Sequence, residues 1–116
     1  MHAGIIFNHM VERKIRLDSI FGSLADPTRR DILKRVSRRE LSVGDIAKPY
    51  DLSLQAISKH LAVLEKAKLV RKRRKGREQF ISLSPPALKH ASEFLDKYRE
   101  LWEGRLDRLE AFLQKK

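Results

Sequence analysis

The sequence predicts a mainly α-helical fold that carries a two-stranded β-hairpin wing and ends in a long C-terminal helix. Three observations lead to it: two short amphipathic helices separated by a tight turn, a hairpin dense in cations, and an apolar seven-residue spacing near the C-terminus. This order of elements is that of a winged helix-turn-helix. The length of 116 residues fits one domain over 1–116, with 1–10 as a tail whose structure the sequence does not indicate.

Composition limits the partners of the chain. A net charge of +11 favours a polyanion, either nucleic acid or an acidic membrane surface. No apolar run is long enough to span a bilayer, and the opening Gly4–Phe7 stretch is too short for a signal peptide. The absence of cysteine excludes disulfides, thiolate nucleophiles and sulfur metal ligands. We therefore expect a cytoplasmic protein that meets nucleic acid and no membrane.

The first half of the chain predicts three helices. One covers Val11 to Leu24, and Asp26-Pro27 is typical of an N-cap followed by proline at the first helical position. That second helix should reach about Val36, bury its apolar side and expose its cations. Ser42-Val43-Gly44-Asp45 fits a capping box that opens a third, short helix ending near Pro49. The expected buried residues of the second helix are Ile32, Leu33 and Val36, and the expected exposed ones are Arg29, Arg30, Lys34 and Arg35.

The stretch from Leu52 to Leu64 predicts the second helix of the helix-turn-helix. Ser53 is a suitable N-cap, and Ile57, Leu61 and Leu64 form one apolar stripe. The opposite face carries donors and no acidic residue, which suits insertion into a DNA major groove. An ordinary surface helix is the alternative. The residues of this polar face are Gln55, Ser58, Lys59 and Ala62.

The segment from Leu69 to Leu83 predicts a β-hairpin with Gly76 at its turn. Its first strand and tip hold six cations within seven residues. Exposed strands often carry lysine to discourage edge pairing, but six cations exceed that need. We interpret the hairpin as a phosphate-contacting wing. Its cations are Arg71, Lys72, Arg73, Arg74, Lys75 and Arg77.

The last helix should start at Ser84-Pro85-Pro86 and continue to about Leu113. Its apolar residues recur in a near-heptad pattern on a helix longer than so small a domain can cover. A partner helix from a second copy explains the surplus, and a seam that only caps the domain's own core is the alternative. The seam consists of Leu88, Leu95, Trp102 and Leu109, interleaved with Ala91, Tyr98 and Phe112.

Four segments in this order resemble the ArsR/SmtB family of bacterial and archaeal repressors: LADPTRRDIL, ELSVGDIA, SLQAISKHLAVLEKAKLV and KGREQFISL. The resemblance covers about Leu17 to Leu113. It implies a dimeric winged helix, with residues 11–25 and 85–114 as dimerisation helices and with repression at a palindromic operator.

The chain departs from the metal-sensing members of that family. Where those carry paired cysteines, this sequence has Ser42 and Gly44. Others use Asp and His ligands along the last helix, which here offers only His90 as an imidazole, with carboxylates nearby at Glu93, Asp96 and Glu103. His60, His2 and His9 are interpreted as surface or packing histidines. The chain therefore resembles the metal-independent, LADPTRR-type branch, and we expect no metal and no cofactor.

These observations predict a homodimeric, sequence-specific repressor that binds double-stranded DNA and has no enzymatic activity, since no catalytic set accompanies the basic surface. A charge-driven architectural DNA-binding protein and a protein-interaction module are the rivals. Leu54 is available for a thymine methyl group, and Arg77 can enter a minor groove. The expected recognition residues are Ser53, Leu54, Gln55, Ser58 and Lys59; the phosphate contacts are Ser53, Arg29, Arg71, Arg74, Lys75 and Arg77; the dimer contacts are Leu95, Tyr98, Trp102, Leu109 and Phe112.

Overall fold

The computed structural model describes residues 17–114, and the predicted mainly α fold with a hairpin wing is confirmed. The expected tail over 1–10 and the first part of the predicted helix from Val11 lie outside the described residues. The elements in chain order are α1 (residues 17–23), α2 (Pro27–Arg38), β1 (Leu41–Ser42), α3 (Val43–Ala47), α4 (Leu54–Lys66), β2 (Val70–Lys75), β3 (Glu78–Leu83) and α5 (Pro85–Gln114).

Side-chain caps set the starts of three helices, as their sequences predict. Each cap side chain accepts a hydrogen bond from a backbone amide in the first turn, which satisfies a donor that has no partner inside the helix. Pro27 occupies the first turn of α2, where its missing N–H costs nothing. The caps are Asp26 with the Arg29 amide (2.9 Å), Ser42 with the Asp45 amide (3.1 Å) and Ser53 with the Ala56 amide (3.1 Å).

The wing belongs to an antiparallel three-stranded sheet in the order β1-β3-β2. Strand β1 was not predicted, because two residues are too few to show an alternating pattern. It pairs Leu41 with Ile81 in the central strand β3. Strand β2 remains at the edge, and Gly76, with a φ of 64°, supplies the first residue of the turn between β2 and β3. The wing is therefore anchored on one side by β1, the two residues that directly precede α3.

The core lies between α1, α2, α3, α4 and the sheet. The apolar stripe of α4 is buried, with Ile57, Leu61 and Leu64 at most 1% exposed, which confirms the face assignment made from sequence. The predicted inner face of α2 is also buried. The buried cluster comprises Ile20, Ile32, Leu33, Val36, Leu41, Ile46, Ile57, Leu61, Leu64, Ala67, Leu69, Val70, Ile81, Ala87 and Ala91.

Two arginines expected on the exposed face of α2 are instead partly buried, which corrects that expectation. Arg35 donates hydrogen bonds to the carbonyls of Ile46 (2.8 Å) and Asp45 (2.9 Å), at the C-terminal end of α3. Its guanidinium also lies 5.4 Å from the ring centroid of Tyr50. The last carbonyls of a helix have no partner inside it, so Arg35 supplies one and holds α3 against α2. Arg29, the second of the two, lies beside α4.

Helix α4 ends in a Schellman motif. The Leu69 amide donates to the Leu64 carbonyl (3.0 Å) and the Lys68 amide donates to the Glu65 carbonyl (2.9 Å). Lys68 occupies the left-handed position with a φ of 64°, the only residue other than glycine with a positive φ between 17 and 114. This conformation costs a side-chain-bearing residue about 1–2 kcal/mol, which a glycine would avoid.

Helix α5 projects away from the core. Only Ala87 and Ala91 of its 30 residues are buried, although the helix is about 45 Å long at 1.5 Å per residue. The Phe94 ring on α5 contacts the rings of Phe21 on α1 and of Tyr98 on α5. The ring centroids lie 5.9 Å apart for Phe21 and Phe94 and 4.9 Å apart for Phe94 and Tyr98, and the first contact joins α1 to α5. No helix within the described residues is long and apolar enough to cross a membrane. The exposed large apolar residues of α5 are Leu95, Tyr98, Leu101, Trp102, Leu106, Leu109, Phe112 and Leu113.

Candidate nucleic-acid interface

The N-terminal half of α4 presents the five predicted recognition residues to solvent. Leu54 is 65% exposed, and its neighbours Ser53, Gln55, Ser58 and Lys59 are exposed as well. The Ser53 hydroxyl oxygen already accepts from the Ala56 amide, so its hydrogen is what it can offer a phosphate. The structure thus brings together hydrogen-bond donors, one cation and an apolar side chain at the start of one rigid helix.

The wing cations divide into two groups. Arg73 is paired with Glu40: its guanidinium nitrogens lie 2.6 and 3.3 Å from the two carboxylate oxygens. This hydrogen-bonded pair holds the pKa of Glu40 below its ordinary value. Lys72 lies 3.8 Å from a carboxylate oxygen of Glu65. Six wing cations were expected from the sequence, and the structure pairs two of them, Arg73 and Lys72, with nearby carboxylates.

The other four wing cations have no carboxylate within 4 Å among residues 17–114. All four are exposed. None of the four is held in an ion pair among residues 17–114, so a phosphate can approach each of them, although the charge of Lys75 helps to lower the pKa of Glu40. They are Arg71, Arg74, Lys75 and Arg77, the four wing residues predicted to contact DNA.

A groove of about 470 Å³ joins the recognition helix to the wing. Leu54, at the start of α4, lines it together with Arg74 and Arg77 of the wing. It is also lined by Val43 and Gly44 at the start of α3, which were not predicted from the sequence as site residues. The helix and the wing therefore form one continuous surface. The remaining lining residues are Ser42, Glu78 and Gln79.

Arg29, also predicted to contact phosphate, is engaged inside the protein. Its Nε donates to the Ser23 carbonyl (2.7 Å), and one terminal nitrogen lies 3.3 Å from the Gly22 carbonyl. The other terminal nitrogen lies 3.3 Å from Nδ1 of His60, on α4. Arg29 thus connects α1, α2 and α4, and its phosphate contact stays a prediction. His60 is a packing histidine in this cluster, with Nδ1 3.9 Å from an Asp26 carboxylate oxygen.

The amide of Arg29 is the main cause of the lowered pKa of Asp26, the α2 N-cap. The charges of His60 and Arg29 lower that pKa further. Nothing in the sequence spacing indicated this cluster, because its members come from separate helices.

Metal-ligand groups are scarce in the part of the chain that the structure describes. Residues 17–114 contain no cluster of three or more His, Asp or Glu side chains able to hold an ion. His90 shares a small cavity with Glu93 on α5. His2 and His9 lie outside the described residues. Independence from metal stays a prediction, which rests on the residue types at the family's ligand positions.

An exposed helix that carries hydrogen-bond donors lies beside a wing of exposed cations on a helix-turn-helix core, and this arrangement defines a winged helix-turn-helix DNA-binding protein. A family model described as "Helix-turn-helix domain" matches residues 24–73. Among curated proteins, the chain is 32% identical over 79 residues to the transcriptional repressor SdpR of Bacillus subtilis (strain 168), covering 68% of this chain and 88% of that protein. It is also 32% identical over 96 residues to the arsenical resistance operon repressor of Escherichia coli (strain K12), covering 82% of this chain and 80% of that protein.

Solved structures agree with this class. The crystal structure of the ArsR family transcriptional regulator RHA00566 superimposes with a TM-score of 0.74 at 36% identity, over 78% of this chain and 93% of that one. The ArsR-like transcriptional regulator from Rhodococcus sp. RHA1 superimposes with a TM-score of 0.72 at 30% identity, over 85% of this chain and 93% of that one. The chain belongs to the ArsR family of winged-helix transcriptional regulators. It is a DNA-binding regulator rather than an enzyme.

Proposed function

We propose that the protein is a homodimeric repressor that binds a palindromic operator sequence-specifically. One observation carries the proposal: Leu54, in the exposed and acid-free first turn of α4, lines a single groove together with Arg74 and Arg77, two of the four wing cations that form no ion pair among residues 17–114. The related proteins from Bacillus subtilis and Escherichia coli are named as repressors, which supports the same role here. In this account the protein acts in the cytoplasm and is released by no metal.

The helix and the wing have different tasks. Gln55, Ser58 and Lys59 face base edges in the major groove, and Leu54 contacts a thymine methyl group. The Ser53 hydroxyl and the four wing cations contact phosphates. Arg77 lies at the hairpin tip, from which a guanidinium can enter a narrow minor groove.

Dimerisation follows from the exposed face of α5. Trp102 is 62% exposed and Leu109 is 54% exposed, and both belong to an apolar face that continues beyond the domain's own core. Contiguous exposed apolar area of this kind is typical of a subunit interface. A two-fold axis places two copies of α4 on successive major grooves, which requires an inverted repeat. The proposed contacts are Leu95, Tyr98, Trp102, Leu109 and Phe112, with α1 beside them.

The test separates base reading from charge. Gln55→Ala should reduce the preference for operator over scrambled duplex, because a good base-edge pair is worth ~1–3 kcal/mol. It should leave the slope of log affinity against log salt nearly unchanged, since glutamine releases no counterion. Gln114→Ala, the same change on α5, is the matched control. An unchanged preference in Gln55→Ala would remove α4 as the base-reading element.

The net charge of +11 favours a second candidate, an architectural protein that binds any duplex by charge. If the protein binds by charge alone, Gln55→Ala should change neither the preference for operator nor the salt slope. The wild type should then show little preference between operator and scrambled DNA. The same titrations therefore decide between the two functions.

A further inference from the structure

A cavity of about 330 Å³ shares no lining residue with the groove between α4 and the wing. It is formed where α1, the end of α4 and the start of α5 meet. Ile20, Ala67, Pro86 and Ala87 give it apolar walls. Its volume is at the lower end of the ~300–1,000 Å³ typical of small-molecule sites. The polar residues that line it are Lys68, Ser84 and His90.

His90 is not satisfied by the protein. Its Nε2 atom is buried and has no hydrogen-bond partner among residues 17–114. Such an atom loses its bond to water without gaining another, so a native structure usually supplies it with a partner. A bound molecule with a hydrogen-bonding oxygen would provide that partner.

Lys68 is the second observation. It keeps a left-handed φ of 64° in the Schellman motif, where glycine would avoid strain. Residues held in sparsely populated conformations concentrate at functional sites. The motif requires only the backbone at this position, so the ammonium group is left available to a ligand. A cation at the cavity selects a negatively charged partner.

The first two positions of α5 offer no backbone donor to the cavity. Pro85 and Pro86 occupy the first two positions of α5 and carry no N–H. Among the lining residues, Lys68 therefore supplies the positive charge, and Ser84 and His90 supply hydrogen-bonding side chains.

We propose that this cavity binds a small carboxylate with an apolar body. The carboxylate pairs with the Lys68 ammonium and accepts from Nε2 of His90, and the hydrocarbon part contacts the apolar walls. The ligand would contact the end of α4 and the first turns of α5 together. If the protein is the proposed repressor, occupancy should therefore change operator affinity.

The binding test uses the full chain without DNA, so its result is independent of the proposed repressor function. Hexanoate is titrated by calorimetry and by the shift of the His90 imidazole resonances. We expect saturable binding of one hexanoate per chain that moves those resonances. Hexan-1-ol and hexylammonium should bind at least about tenfold more weakly, because charge-assisted hydrogen bonds are the strong ones.

Variants locate the site. His90→Leu and Lys68→Gly should each weaken hexanoate binding by about tenfold. Lys68→Gly suits the left-handed backbone and stays folded, and Lys89→Ala, an exposed lysine outside the cavity, should bind as the wild type does. Absence of saturable binding, unmoved His90 resonances, or wild-type affinity in both site variants would overturn the proposal. Unchanged operator affinity in saturating hexanoate would remove only the regulatory consequence.

Discussion

Replacing Arg74 by alanine should flatten the salt dependence of DNA binding, because Arg74 is a wing cation without an internal partner. Each phosphate contact contributes about 0.9 to the slope of log affinity against log salt. Four such cations in each protomer make eight in the proposed dimer, so the wild-type slope should be near −7 if all make contact. A single Arg74→Ala substitution removes two of them and should bring the slope to about −5.

The size of this effect can be resolved. Between 50 and 200 mM salt, the wild type should lose about 10⁴ in affinity and Arg74→Ala about 10³. Fluorescence anisotropy with a labelled duplex measures both. Since the slope is a property of phosphate contacts, a random-sequence duplex is sufficient for the comparison.

Two controls separate local contact from overall charge. Lys89→Ala lowers the net charge by the same amount but lies on α5, and should leave the slope unchanged. Arg73→Ala combined with Glu40→Ala removes a wing cation together with the carboxylate that it pairs with, so the net charge stays the same. This double variant should retain the wild-type slope. The division of the wing cations into paired and unpaired groups would be wrong if Arg74→Ala left the slope unaltered, or if Lys89→Ala changed the slope by the same amount.

Four further predictions concern assembly, stability and metal. Trp102→Glu should sediment as a monomer or unfold, because burying this side chain contributes ~2–3 kcal/mol; an unchanged folded dimer would mean that the interface lies elsewhere. Lys68→Gly should raise the free energy of unfolding by about 1 kcal/mol in urea titrations, since it removes left-handed strain; a loss of stability would contradict this. In the folded state, hydrogen bonds lower the pKa values of three carboxyl groups: the Arg29 amide acts on Asp26, Arg73 on Glu40 and Lys48 on Asp45. The folded chain therefore binds fewer protons than the unfolded chain does. The free energy of unfolding that these groups contribute above about pH 4 should be lost in urea titrations at more acidic pH. A pH-independent urea midpoint would refute that reasoning. Zinc, cadmium, arsenite or copper at one ion per subunit should not release the protein from DNA in gel-shift titrations, whereas saturable release at that ratio would reveal a site across the dimer.

The sequence predicted those parts of the fold that short-range rules determine. Asp26, Ser42 and Ser53 were identified as caps because an N-cap is a local device, and the structure confirms each one. The apolar stripe of α4 was predicted by its period. Strand β1 was missed, because its pairing with Ile81 joins residues 40 apart and leaves no periodic signal.

Fewer details of the candidate nucleic-acid interface could be predicted, because many of its contacts join residues that lie far apart in the chain. The exposure of α4's polar face and of the wing follows from local pattern. The partners of single arginines do not, because Arg29 bonds to α1 and α4 while Arg35 bonds to α3. Which wing cations are compensated also depends on Glu40 and Glu65, which lie in other elements.

The most direct test of the central claim compares wild-type binding to two duplexes at several salt concentrations. One contains an inverted repeat found upstream of the protein's own gene, and the other contains the same bases scrambled. We expect a preference for the repeat of ~10³ or more, as is usual for specific regulators. A preference below about tenfold at every salt concentration would contradict sequence-specific repression and leave charge-driven binding in its place.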